Sequence, residues 1–143
     1  MRILGIDYGR RRIGLALSDE GETLASPLQT HIRGRSKTRD IASLVSLIKK
    51  GQVMAIVVGL PLNMDGSRGE MAQEAAAFAA HIGQASGVPV ELFDERLTSQ
   101  EAERVLLEAD LSRQKRKTLR DSLAAVLILQ GYLDRRNTND PPP

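Results

Sequence analysis

The chain has 143 residues and a formal net charge of +2, with 41% hydrophobic and 27% charged residues. This composition is that of an ordinary soluble domain. The chain is long enough to bury one hydrophobic core without stabilising disulfides or metal ions. Cysteine is absent and only two histidines are present, which excludes disulfide scaffolds and thiolate zinc sites and disfavours histidine-based metal clusters. Aromatic residues make up 3%, which disfavours a sheet that binds RNA by stacking bases.

The domain organisation and location follow from the distribution of apolar residues. No stretch approaches the ~20 apolar residues of a membrane span, and Asp7 interrupts the N-terminal apolar run before it could serve as a signal peptide. We therefore expect no membrane partner and a cytoplasmic location. We expect one domain over residues 1–134 and a disordered tail over residues 135–143, which offer nothing apolar to bury.

The first half of the chain reads as strands followed by a helix and a strand. Residues 2–8 and 13–17 predict a hairpin, and residues 23–30 predict a weaker third strand that Pro27 interrupts. Apolar residues at helical spacing predict a helix over residues 39–50. The continuous apolar run over residues 53–58 predicts a strand that is buried on both faces of a sheet.

The second half alternates helices with one more strand. Residues 70–86 predict an alanine-rich helix that Gly87 caps, and residues 88–93 predict a strand. A capping-box pattern opens a predicted helix over residues 98–109, and a last helix is predicted over residues 118–133. The order indicates an α/β fold: a five-stranded mixed sheet, with its first three strands antiparallel, flanked by helices.

Four carboxylates stand at positions where a fold of this class places functional groups. Asp7 ends the first predicted strand, and Asp94 and Glu95 directly follow the fifth. Asp121 lies on or beside the apolar stripe of the last predicted helix. Carboxylates from two strand ends and one helix, in a chain without cysteine, suit a hard oxygen-liganded ion such as Mg²⁺ or Mn²⁺.

Each carboxylate also has a simpler interpretation. Asp7 can start a turn, and Asp121 can form a capping pair with Thr118. The two acids after the fifth strand can be solvated or can pair with Arg96. From the residues alone these alternatives stay open.

Basic residues gather near the same positions. One cluster lies before the first predicted helix, a second lies at the start of the last helix, and a smaller group lies in the hairpin turn. Their members are Arg33, Arg35, Lys37 and Arg39; Arg113, Lys115, Arg116, Lys117 and Arg120; and Arg10, Arg11 and Arg12. Basic loops beside carboxylates are typical of proteins that hold a phosphate backbone over a metal site, whereas the alternative is a solvated run of charge.

Four sequence blocks occur in order between residues 2 and 133. They are GIDYG with RIGLA and SD at 5–19, VGLPLNMDG at 58–66, DERLTS at 94–99, and KRK at 115–117 followed by Asp121. Together they resemble the YqgF family (RuvX type) of RNase H-like proteins, described as pre-16S ribosomal RNA nucleases and as Holliday junction resolvase-like proteins. The resemblance implies an RNase H-like fold and a catalytic, metal-binding centre made of Asp7, Glu95 and Asp121, with two Mg²⁺ or Mn²⁺ ions.

The resemblance also implies a reaction and a partner. The expected activity is hydrolysis of phosphodiester bonds in structured nucleic acid, with pre-16S rRNA as substrate or, alternatively, a Holliday junction, by a monomer or homodimer. Better-known resolvases of the superfamily place an acid at the end of the fourth strand, where this chain has Gly59-Leu60-Pro61. A non-catalytic nucleic-acid-binding module remains a second hypothesis. A phosphate-binding fragment of the actin or sugar-kinase type is a third, against which the length argues.

Overall fold

A computed structural model describes residues 1–98 and 113–138, and for residues 113–121 and 138 it describes the backbone only. The strands are β1 (Arg2–Tyr8), β2 (Arg12–Ser18), β3 (Ala25–Pro27), β4 (His31–Ile32), β5 (Val53–Leu60) and β6 (Val90–Asp94). The helices are α1 (Lys37–Lys50), α2 (Glu70–Ser86) and α3 (Arg113–Thr138), and a 3₁₀ turn covers Glu95–Leu97. None of the helices in the described part is long and apolar enough to cross a membrane.

The strands form one mixed sheet in the order β3-β2-β1-β5-β6, with β4 also paired to β2. The pairs β1–β2 and β2–β3 are antiparallel, whereas β5 runs parallel to β1 and to β6. This arrangement confirms the α/β fold with a mixed sheet. The predicted count of five strands is wrong for the described residues, which form six: the third predicted strand is reduced to Ala25–Pro27, and a further short strand, His31–Ile32, follows it and pairs with β2.

The two faces of the sheet are covered by different helices. Leu4 and Ile6 of β1 pack in the core that α1 and α2 cover, whereas Ile3 packs in the core that α3 covers. In β5, Ile56 faces the first core and Val57 faces the second. The continuous apolar run of β5 is therefore buried on both sides, which confirms the prediction for that strand.

Helix α2 spans the predicted residues, and its C-terminus has the predicted cap. Gly87 adopts a left-handed conformation with φ of 71°, and its N–H donates to the carbonyl of Gly83. Residues other than glycine adopt this conformation with strain, so the cap explains why the helix ends there. Helix α1 begins two residues before the predicted start, because the Ser36 side chain accepts a hydrogen bond from the Arg39 N–H and caps it.

Helix α3 is longer than the predicted helix at both ends. At its C-terminus it continues to Thr138, so the expected disordered tail does not hold for residues 135–138. The reason is an anchor on the β2–β3 connection: Arg136 Nη1 lies 2.7 Å from Glu22 Oε1, and Asn137 Nδ2 donates to the Glu22 carbonyl. Residues 139–143, and all of the helix predicted over 98–109 except Thr98, lie outside the described residues.

Helix α3 lies directly on β1 because Gly5 has no side chain. A Cβ at Gly5 would lie 2.7 Å from Leu129 Cβ and 3.1 Å from the carbonyl oxygen of Ala125. The same helix is joined to the connection between β3 and β4 by the Ser122 hydroxyl, which donates to the Leu28 carbonyl at 2.7 Å. These contacts fix the position of α3 over the face on which Asp7 lies.

Candidate active site

The side chains of Asp7 and Glu95 meet at one end of the sheet, where they form a hydrogen bond. Asp7 lies near the end of β1, two residues beyond Gly5 and on the face that α3 covers. Glu95 opens the 3₁₀ turn that directly follows β6. Both residues are half-buried. The two strand ends therefore bring together the two acids whose meeting the sequence predicted.

The pair holds a proton more tightly than isolated carboxyls do. Burial, together with the negative charge of Asp7, raises the pKa of Glu95 from 4.5 to about 7. Burial also raises the pKa of Asp7, although the hydrogen bond from Glu95 opposes this effect. Below about pH 7 the Glu95 carboxyl thus donates a proton to the Asp7 carboxylate, which limits the repulsion between them.

The chemistry of this pair fits a hard divalent cation. Two half-buried carboxyl groups supply oxygen ligands, and a cation between them would replace the shared proton and offset the like charges. Among the side chains that the structure describes, no group of three acidic or histidine residues surrounds one point. The Asp121 side chain is not among those described.

The backbone of α3 places Asp121 at the same end of the sheet. The next residue, Ser122, contacts Leu28 and Thr30, just before β4. Strand β4 pairs with β2 at Ile13, and the following residue of β2, Gly14, pairs with Asp7. The helix also extends five residues before Thr118, so the Thr118–Asp121 capping pair lacks the helix start that it requires.

Asp94 and Glu95 have different roles although they are adjacent. The Asp94 carboxylate accepts hydrogen bonds from two nitrogens of the Arg96 guanidinium. Nε lies 3.0 Å from both carboxylate oxygens, and Nη2 lies 2.7 Å from Oδ2. The hydrogen bond with Arg96 is the main cause that lowers the pKa of Asp94. Pairing with Arg96, one of the simpler interpretations of these acids, thus holds for Asp94, whereas Glu95 turns to Asp7.

Arg96 also contacts the loop that follows β5, and the sequence did not predict this contact. Its Nη1 donates to the Met64 carbonyl at 3.1 Å. The loop is closed by hydrogen bonds from the Ser67 N–H and hydroxyl to Asp65 Oδ1. No pattern in the sequence marks a contact between residues 64 and 96, because it depends on β5 and β6 being neighbours in the sheet.

Three of the predicted nucleic-acid-binding residues lie around a pocket on the other face of the sheet. Arg10, Arg33 and Lys37 line this pocket of about 380 Å³, whose walls include Tyr8 and Phe78 of the core that α1 and α2 cover. The pocket therefore lies on the opposite face from the Asp7–Glu95 pair.

Two of these basic residues contact acidic and aromatic side chains. Arg10 forms ion pairs with Glu70 at 3.2 Å and Glu74 at 3.4 Å, both on α2. Arg33 lies over the Tyr8 ring, 5.0 Å from its centroid. These contacts fix Arg10 of the hairpin turn and Arg33 of the first basic cluster in place.

A buried carboxylate anchors this part of the molecule, and the sequence interpretation passed over it. Asp40 is 6% exposed, and its Oδ1 lies 2.9 Å from His31 Nε2 and accepts from the Gly34 N–H at 3.0 Å. Its Oδ2 lies 3.9 Å from Arg33 Nε. Asp40 precedes the core residue Leu44 by one helical turn, and this spacing is the signal that it faces the interior.

The remaining predicted basic residues are exposed, or belong to the part of α3 for which only the backbone is described. Arg11, Arg12, Arg35 and Arg39 are exposed. The second cluster lies within the first turns of α3, on the same helix as Asp121 and on its N-terminal side; its members are Arg113, Lys115, Arg116, Lys117 and Arg120.

The fold is that of RNase H-like proteins. It is similar to the structure "T. thermophilus RuvC in complex with Holliday junction substrate", with a TM-score of 0.58 and 18% identity over 97% of each chain. The mixed sheet with its flanking helices therefore has this fold. A second RuvC structure, from Thermus thermophilus, matches with a TM-score of 0.57.

The family model described as "RuvX: Holliday junction resolvase" matches residues 1–135, and the chain belongs to this family. A relative from Moorella thermoacetica is 51% identical over 139 residues, covering 97% of this chain and 99% of the relative. One from Anaeromyxobacter sp. is 50% identical over 137 residues, covering 96% and 99%. Both are named "Putative pre-16S rRNA nuclease". The resemblance identified from the four sequence blocks is thereby confirmed.

Proposed function

We propose that this protein is a divalent-metal-dependent nuclease that cleaves structured RNA, with the precursor of 16S rRNA as its substrate. The observation that carries the proposal is the half-buried Asp7–Glu95 pair, in which two acids from separate strand ends form a hydrogen bond. The names of relatives at about 50% identity over nearly the whole chain support the reaction class and the substrate. Such a substrate implies a cytoplasmic location.

The proposed ligands of Mg²⁺ or Mn²⁺ are Asp7, Glu95 and Asp121. When bound, a pair of such ions activates a water molecule and stabilises the leaving oxygen of the phosphodiester. The chain itself supplies oxygen donors on two strand ends, which rigid pairing of β1, β5 and β6 holds at a fixed separation. Glu95 must release its proton before it can act as an anionic ligand, so the centre forms more readily above pH 7.

The phosphate backbone requires positive charge beside the carboxylates. The second basic cluster meets this requirement through its place on α3, where Lys117 is one helical turn before Asp121. Arg113, Lys115 and Arg116 continue the positive charge toward the helix N-terminus. In the first cluster, Arg35 and Lys37 are exposed at the start of α1, where the helix dipole favours anions, and Lys37 lies by the pocket on the opposite face, away from the carboxylates.

Cleavage assays with Asp7→Asn test the proposal. This substitution keeps the shape of the side chain and removes its charge, so we expect an intact fold and loss of Mg²⁺- or Mn²⁺-dependent cleavage of precursor RNA. The matched control is Asp65→Asn, which changes an exposed carboxylate in the loop after β5. Unchanged cleavage by Asp7→Asn would refute the assignment of the site.

The same assay separates the alternatives. A four-way DNA junction is compared with the precursor RNA, each in the presence of Mg²⁺ or EDTA. Cleavage of the junction alone would favour the resolvase activity that the family description names. Salt-sensitive binding without cleavage of either substrate, unchanged by removal of the acids, would favour a non-catalytic binding module.

A further inference from the structure

Strand β5 separates the two acids of the site. The sheet order β1-β5-β6 places the end of β6, and with it Glu95, two strands away from Asp7. Neighbouring strands lie about 4.8 Å apart, so β1 and β6 are separated by roughly 10 Å. The Glu95 side chain can reach Asp7 only by crossing over β5.

Glycine occupies the point at which Glu95 crosses β5. Gly59 is two residues beyond Val57, which faces α3, so Gly59 lies on the same face of the sheet. A Cβ at Gly59 would lie 2.7 Å from Glu95 Oε1 and 2.4 Å from Ile128 Cδ1. The carboxyl oxygen of Glu95 therefore occupies space that any side chain at position 59 would fill.

The neighbours of Gly59 differ from those of Gly5, the other close approach on this face. At Gly5 an added Cβ meets Leu129 Cβ and a backbone carbonyl of α3, neither of which can move without the helix. At Gly59 the two nearest atoms are the tips of flexible side chains. A methyl group at position 59 would thus displace Glu95 and Ile128 while β5 and α3 stay in place.

We propose that Gly59 is a positioning residue for the acidic site: its missing side chain lets the Glu95 carboxyl cross β5 and meet Asp7. Glycine is needed here for space and not for an unusual backbone conformation, since Gly59 pairs regularly with Phe93 of β6. The catalytic consequence rests on the proposed nuclease function, whereas the contact between positions 59 and 95 is a property of the fold.

The first test measures metal-dependent cleavage by Gly59→Ala. Because displacement of a ligand by about 1 Å can cost roughly a hundredfold in rate, we expect a loss of that order in kcat and a higher requirement for Mn²⁺. Gly83→Ala is the matched control: its Cβ would meet the Val90 side chain at 3.1 Å, in the α2 interface with β6, away from Glu95. Equal activity of the two variants would overturn the proposal.

A second variant separates the two contacts at position 59. Ile128→Val removes the Cδ1 atom that an added Cβ would approach most closely. In the Gly59→Ala/Ile128→Val double variant we expect thermal stability to recover in part, because a contact with Cγ1 at 3.0 Å is retained, while cleavage stays low because the clash with Glu95 remains. Recovery of full cleavage would mean that the packing of α3, and not the placement of Glu95, depends on Gly59.

A third measurement does not depend on nuclease activity. The effect of Gly59→Ala on urea unfolding is measured in EDTA in two backgrounds. Both backgrounds carry Ile128→Val, and one of them also carries Glu95→Ala. We expect Gly59→Ala to lower the urea midpoint less when the Glu95 carboxyl is absent, since the new Cβ then no longer clashes with that carboxyl. Additive shifts would overturn the proposal, whereas non-additive shifts in a protein that cleaves nothing would refute only the nuclease function.

Discussion

The shared proton between Asp7 and Glu95 predicts that the metal-free protein gains stability when Glu95 is made neutral. Glu95→Gln keeps the length of the side chain and supplies an amide N–H that can donate to Asp7, as the protonated carboxyl does. It removes the negative charge that wild-type Glu95 acquires above its pKa of about 7. The variant should therefore be more stable than wild type at high pH and nearly equal to it at low pH.

The size of the effect follows from the shift in the pKa of Glu95. A change from 4.5 to about 7 gives an upper bound of about 3 kcal/mol at 1.36 kcal/mol per unit of pKa. Since the residue is only half-buried, solvent screening reduces this figure to about 1–2 kcal/mol. A raised pKa means that the folded protein binds the proton more tightly than the unfolded chain, so stability is greatest below pH 4.5 and is lost as pH rises through about 7.

The assay is urea unfolding in EDTA at pH 5 and at pH 8.5, with the exposed Glu20→Gln as a matched control. We expect Glu95→Gln to raise the free energy of unfolding by about 1–2 kcal/mol at pH 8.5 and by much less at pH 5. A variant that is less stable than wild type at pH 8.5, or a difference that does not change with pH, would refute the reasoning. With saturating Mn²⁺ the order should reverse, because wild type alone gains the full stabilisation of a bound ion.

Two further predictions concern Asp40, which anchors the pocket region, and Arg96, which holds the loop after β5. Burial raises the pKa of Asp40, but hydrogen bonds from Gly34 and His31 and the charge of Arg33 outweigh this effect, so the pKa is lowered. The ionised Asp40 carboxylate therefore stabilises the folded protein, and this stabilisation is lost as pH falls below 3.8. Asp40→Asn should cost about 2–3 kcal/mol at pH 7 and less at pH 3; an equal cost at both pH values, in urea unfolding, would contradict this. Arg96→Ala should speed amide hydrogen exchange in residues 62–67 with under about 1 kcal/mol of change in global stability, since the ion pair is partly exposed; unchanged exchange would show that Arg96 does not hold the loop.

The acidic pair could be predicted from the sequence because strand ends in a parallel arrangement meet at one edge. The position of Asp7 after an apolar run, and of Asp94 and Glu95 after another, was sufficient to bring them to the same place. The strand pattern alone does not distinguish Asp94 from Glu95, because both follow the strand directly, whereas the family resemblance points to Glu95. The 3₁₀ turn decides between them: Asp94 caps the turn and pairs with Arg96, and Glu95 is left to reach Asp7.

The placement of the basic residues could not be predicted in the same way. A charged residue in a loop carries no periodicity that shows which face of the sheet it occupies. Arg10 and Arg33 lie on the α1 and α2 side because Glu74 and Asp40 on those helices contact them. Such contacts join residues far apart in the chain. The role of Gly59 depends in the same way on the order of strands in the sheet.

The packing of α3 has a consequence for the order in which the protein is completed during synthesis. Ala125, Ile128 and Leu129 of α3 cover the sheet face that includes Ile3, and Asp121 comes from the same helix. Among the described elements α3 is the last to leave the ribosome, and domains fold as the chain emerges. The cover of the apolar face and the third proposed ligand therefore come into place only with this final helix, so a chain that ends before α3 lacks both.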